Sequence, residues 1–166
     1  LVSIGPAAGE AGQSNNDNDK SPTGSVANNA SLKFWSFSED DQQIVTGPAM
    51  IPKQLIARKD ELGNLFHVYF STETIQKIAN KFLADNNTHN TDINHDGKVV
   101  SENTLLESWI VEDPELDKAK ALGFNVPKGT WMTSYKINNK DTWKKIKAGE
   151  LNGFSIEGAF LEVAQN

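Results

Sequence analysis

The chain contains no cysteine, which rules out disulfides, thiol catalysis and thiolate metal sites and fits a reducing cytosol. No apolar run approaches the ~20 residues that a membrane span needs, and nothing at the start reads as a secretory signal. Basic charge is scarce too: 16 Lys and Arg stand against 22 Asp and Glu, a formal net charge of −6. Nucleic-acid binding needs clustered Lys and Arg, so neither nucleic acid nor membrane is expected as a partner. The one basic cluster, Lys144, Lys145 and Lys147, falls on a predicted short helix, where a solvated face accounts for it. There is no internal repeat. Beginning at Leu1 rather than Met, the chain reads as a cut or processed product.

What is present is 166 residues, 37% hydrophobic and 23% charged, a length suited to one domain with a single core. Residues 1–31 are rich in Gly, Ala, Ser, Asn and Asp and offer too little apolar area to offset the entropy of ordering them. They are expected to be a disordered or linker-like tail, with the folded domain over 32–166.

Aromatics alternate with smaller residues from Leu32 to Phe37, as in a strand. Two β-rich runs follow, Gln43 to Gly47 and Ala49 to Ile51, with Pro48 and Pro52 marking edges or bulges. Lys59 to Asn64 reads as the turn of a hairpin whose second strand is Leu65 to Phe70. Ser71 or Thr72 then caps a helix whose buried face is Ile75, Ile78, Ala79, Phe82 and Leu83. Leu105 to Val111 predicts a strand with Leu105, Glu107, Trp109 and Val111 on one face. A connecting segment, Asp113 to Lys128, leads to a strand over Gly129 to Ile137. A short helix over Asp141 to Ala148, capped by Asn139 or Asp141, and a closing strand from Phe154 to Val163 complete the chain. The expected fold class is α+β: a mainly antiparallel sheet or barrel of about six strands with two or three flanking helices.

Ser155, in Gly153-Phe154-Ser155-Ile156-Glu157-Gly158, is a hydroxyl on a rigid element between glycines. To attack a carbonyl it needs a base within hydrogen-bond reach. His67, inside a strand, reads as a packed structural residue. His89 and His95 lie in the polar loop Thr88 to Ser101, the kind of setting where catalytic groups sit. That loop also matches the start of an EF-hand calcium site, with Asp92, Asn94 and Asp96 at the first three ligand positions and Gly97 at the turn. The twelfth position, however, is Asn103 instead of a carboxylate. Asp96-Gly97 alternatively favours a hairpin turn without metal. Glu107, sharing a face with Trp109, requires a partner or a raised pKa. It is either a hydrogen-bonding node or the group that orients an imidazole.

The order of these features resembles the prohead serine proteases of tailed bacteriophages. The most specific pieces are Leu106-Glu107-Ser108-Trp109-Ile110-Val111-Glu112-Asp113 and Gly149-Glu150-Leu151-Asn152-Gly153-Phe154-Ser155-Ile156-Glu157-Gly158. The likeness spans Gln43 to Glu162, and that family is similar to herpesvirus assembly proteases, a β-barrel with helices around it. The resemblance implies Ser155 as nucleophile and His95 as base, with His89 as second choice. Relatives carry the orienting residue on a strand well beyond the serine, whereas here only eleven residues follow Ser155. Glu107, then Glu157, is therefore expected in that role. The resemblance further implies a protease packed in the prohead and assembled in the host bacterial cytoplasm. It would cleave scaffold and major capsid precursors, as a homo-oligomer or within a capsid assembly, and need no cofactor. Ala8-Gly9-Glu10-Ala11 looks like a self-processing site. A catalytically silent virion protein on the same fold, which is also similar to phage tail-tube proteins, and a calcium-binding module are the alternatives.

Overall fold

The computed structural model describes residues 2–5, 36–37, 42–89, 91–93, 103–151 and 153–156. Their strands are β1 (Val2–Gly5), β2 (Ser36–Phe37), β3 (Ile44–Met50), β4 (Ile56–Lys59), β5 (Leu65–Val68), β6 (Thr91–Ile93), β7 (Asn103–Ile110), β8 (Trp131–Ile137) and β9 (Gly153–Ile156). The helices are α1 (Thr72–Ala84), α2 (Lys118–Ala121) and α3 (Lys140–Lys147), and a 3₁₀ turn covers Asn87–His89. The strands form three sheets, ordered β2-β3-β8-β7, β6-β1-β9 and β4-β5. Every pairing is antiparallel except that of β1 with β6. The mixed, mainly antiparallel architecture with flanking helices is as expected. The described residues form separate sheets, however, and no closed barrel.

The four-stranded sheet is the framework. Successive residues of β8 point to opposite faces, and the core divides accordingly. Trp131, Tyr135 and Ile137 join Val45, Ile75, Ala79, Phe82, Trp143, Ile146, Leu151 and Phe154 in one cluster, under α1 and α3. Met132 joins Val111, Ala119, Phe124 and Val126 on the other face. Trp131 is fully buried and meets Phe82 edge-on, ring centroids 5.4 Å apart. Gly129, with φ +87°, lies so close to the start of α1 that a Cβ there would sit 2.3 Å from Thr72 Cγ2.

Both long helices are capped as their sequences predict. Ser71 Oγ accepts from Thr74 N at 3.2 Å, and Asn139 Oδ1 accepts from Asp141 N and Thr142 N at 3.0 Å each, satisfying amides the helix leaves open. The hairpin also forms. Asp60 Oδ1 accepts from Leu62 N and Asn64 N, and Gly63 takes φ +85°. Its strand residue His67 is exposed, not packed.

Other expectations are corrected. Pro48 lies within one continuous strand instead of between two, at a register shift between Pro48 and Met50. It lies beyond the two residues, Val45 and Thr46, that pair with β2, so its missing N–H breaks no ladder. Leu83 is exposed at the end of α1. A bulge between Leu105 and Glu107 shifts the phase of β7. Leu105 therefore packs with the first core and Trp109 and Val111 with the second, not all on one face. The connecting segment holds the short α2, capped by Asp117. Within 1–31, residues Val2–Gly5 are not tail but the middle strand of a sheet; the rest of that span lies outside the described residues.

Candidate functional site

Ser155 sits on β9, and local chemistry explains how that strand is held. Helix α3 closes at Ala148, Gly149 turns the chain at φ +77°, and Leu151 and Phe154 are both buried. Phe154 packs on Tyr135, ring centroids 5.4 Å apart at 48°. Burial pushes the Tyr135 phenol well above its ordinary pKa, so it stays a neutral ring in the core. Its Oη is a buried atom with no hydrogen-bond partner among the described residues.

The other end of this sheet is tied down from β6. Thr91 and Asn103 are fully buried, and Asn103 Nδ2 donates to Thr91 Oγ1 at 3.1 Å. That bond fixes the start of β6 to the start of β7. Between β6 and β9 runs β1, in the registers Val2–Thr91, Ser3–Asp92 and Ile4–Ile93 on one side. On the other side the pairs are Val2–Ile156, Ser3–Ser155, Ile4–Phe154 and Gly5–Gly153. The nucleophile candidate and the strand leading into the histidine loop are thus two strands apart. Neighbouring strands are spaced by ~4.8 Å, which makes that span roughly 10 Å across the sheet.

His89 ends the 3₁₀ turn just before β6. His95, Asn94, Asp96 and Glu157 lie outside the described residues, whereas Asp92, first of the suggested calcium ligands, is a strand position. Among the described residues no three His, Cys, Asp or Glu side chains cluster as metal ligands.

Glu107 is placed fully. It is half-exposed, and Lys118 grips both its carboxylate oxygens. Ser134 donates to Oε2 at 3.1 Å and is itself bonded to Thr46 Oγ1 at 2.8 Å. Lys118 chiefly holds the carboxyl below the usual range, against the desolvation of partial burial, and the Ser134 hydrogen bond adds to the lowering. The partner alternative is therefore the one realised, not a raised pKa. Its neighbours are engaged as well: Ser108 Oγ accepts from Trp131 Nε1 at 2.9 Å, and Trp109 Nε1 donates to the helix-capping Asp117 at 3.0 Å. Lys118 Nζ also lies 5.4 Å from the Trp109 ring centroid. The Glu107-Ser108-Trp109 segment is a hydrogen-bonding node joining β7, β8 and α2.

Sequence reasoning missed the middle strand β1, the Lys118 and Ser134 partners of Glu107, and the Thr91–Asn103 tie. The apolar alternation Val2-Ser3-Ile4 was a signal for the first; the others join positions far apart in the chain and leave no local trace.

A family model described as "Putative phage serine protease XkdF" matches residues 31–163. The chain is also 27% identical over 129 residues to "Uncharacterized protein YqbD" of Bacillus subtilis (strain 168), an alignment covering 76% of this chain and 34% of that protein. It thus spans about a third of the length of the curated relative it matches. No solved structure matches the chain.

Proposed function

The chain belongs to this XkdF-type phage serine protease family, and from that membership we propose that it is a serine endopeptidase of prohead maturation. Its substrates are scaffold and major capsid precursors, and it works inside the prohead, in a fold akin to the herpesvirus assembly proteases. Ser155 Oγ attacks the scissile carbonyl while His95 takes its proton and passes it to the leaving amine as the C–N bond breaks. Water then hydrolyses the acyl-enzyme by the reverse proton path. Backbone N–H groups beside Ser155 hold the oxyanion.

The observation that carries the reading is the common sheet of β9 and β6: the serine's strand and the strand running into His95 flank the same neighbour. Of the two carboxylates expected to orient the imidazole, Glu107 already accepts three hydrogen bonds from Lys118 and Ser134. An ionised carboxylate has only about four acceptor positions, so Glu107 stands as part of the framework.

The test is cleavage of a co-expressed scaffold precursor, and of the chain's own Ala8-Gly9-Glu10-Ala11 site, by parent and Ser155→Ala. Parent should process both and the variant neither, a loss of at least about 1,000-fold, as when a catalytic serine is removed. Equal processing by the two removes Ser155 from the mechanism and leaves a silent virion protein of the same family.

A further inference from the structure

We propose that the outer face of the β4–β5 hairpin is a contact between two copies of this chain, packed face to face about a two-fold axis. The inference goes beyond the protease reading and does not depend on Ser155. The second strand and its continuation, Leu65-Phe66-His67-Val68-Tyr69-Phe70, form a nearly unbroken apolar run, the pattern of a strand covered on both faces. The fold covers one of them. Phe66, Val68 and Phe70 are half-buried, and Phe70 packs on the main core. Leu65, His67 and Tyr69 alternate with them and are exposed.

Register assigns the rest of the outer face. Lys59 pairs with Leu65 and Ala57 with His67, and residues directly opposite each other share a side. Leu55 lies one alternation before Ala57 and, like it, is exposed. Leu55 is 66% exposed, Leu65 63% and Tyr69 42%, and Leu62 in the turn reaches 88%. Single exposed leucines need no explanation, whereas several on one small ribbon mark an interaction site.

Two observations point to a second copy as the occupant. The first is size. A large apolar side chain presents on the order of 100 Å² to water, so with Ala57, His67 and the stem of Lys59 the face offers roughly 500 Å². Two such faces bury about 1,000 Å² together, where specific protein contacts begin. The second is charge. Lys59 on the face and Glu61 in the adjoining turn are both exposed, and neither joins an ion pair among the described residues. Asp60 between them is occupied by the turn, accepting from Leu62 N, Asn64 N and Asn64 Nδ2. Arg58 points to the opposite side by alternation. A cation beside an anion makes the patch self-complementary, as a two-fold contact requires: Lys59 of each copy meets Glu61 of the other. A partner of one charge sign would satisfy only one of the two.

Sedimentation of the whole 166-residue chain tests this, over about 1 to 500 μM, concentrations that bracket the weak, reversible affinity expected of so small a contact. The parent should pass from 18.2 kDa to twice that mass as concentration rises. Leu65→Glu should raise the midpoint at least about 10-fold, the effect of losing a central apolar contact. Lys59→Glu and Glu61→Lys should each weaken association several-fold, and the two together should restore it, a recovery that damage to the fold does not imitate. Melting temperatures confirm that each variant is folded. Parent-like association of folded Leu65→Glu overturns the inference. So does a parent that stays at 18.2 kDa throughout, which leaves the face to a partner of another kind. Should Leu65→Glu not fold, the charge reversals decide: single variants that associate like the parent, or a double variant that fails to recover, overturn it.

Discussion

On β7, Glu107, Ser108 and Trp109 each direct their polar atoms to a neighbour within the fold, through Lys118 and Ser134, Trp131, and Asp117. On the other sheet, Ser155, Ser3 and Asp92 line up across three strands with no apolar residue among them. Both are polar stretches on strands, and Glu107 in the first and Ser155 in the second were candidates for catalysis. The difference is that the first is closed, its groups saturated by a bulged strand and a capped helix. The second is set by register alone, across three strands of the other sheet. Saturated polar groups hold a fold together. Within a strand, residue type alone does not separate the two cases, whereas register does.

Three substitutions sharpen this contrast. The largest effect belongs to the framework: Trp131→Ala removes a fully buried ring that packs on Phe82 and should cost about 3–5 kcal/mol, read as a lower denaturant midpoint. Gly129→Ala comes next, since its φ is +87° and the new Cβ would meet Thr72. Strain of about 1–3 kcal/mol is expected, and Thr72→Ser, which removes the clashing methyl, should recover part of it in the double variant. The smallest is Glu107→Gln. Its ion pair is half-exposed, so the loss should be at most about 1 kcal/mol, with phosphonate labelling of Ser155 unchanged.

A pH series sharpens that last case. The folded-state pKa of Glu107 is depressed, chiefly by Lys118, so its contribution is present above the ordinary carboxylate pKa of about 4.3. It fades as pH falls through the lower folded value. Melting curves of parent and Glu107→Gln should therefore differ at neutral pH and converge in acid. A gap that widened in acid would reverse the assignment of that carboxylate as a stabilising, ionised group.

What was legible in the sequence was what is decided nearby. Ser71 and Asn139 sit one residue before their helices, and Asp60 with Gly63 shapes the hairpin turn within four positions. The periodicity of α1 correctly gave Ile75, Ala79 and Phe82 as buried, but not that Leu83, in the final turn, is exposed. The bulge at Leu105 to Glu107 was invisible because it depends on the register of β8. Ser155 was legible as a strand position between apolar neighbours. Its row was not, since two of the row's three members come from segments read as a tail and a loop.

The place of β1 bears on how this protein is to be handled. The family match begins at residue 31, and a fragment cut to that boundary would keep both helices' caps, the four-stranded sheet and the hairpin. It would nonetheless lack residues 2–5, leaving β9 and β6 with bare edges and a gap where their common neighbour ran. Such a fragment could melt cooperatively, give a convincing circular dichroism spectrum and still be inert, so a negative activity assay on it would say nothing about the activity proposed for the full chain.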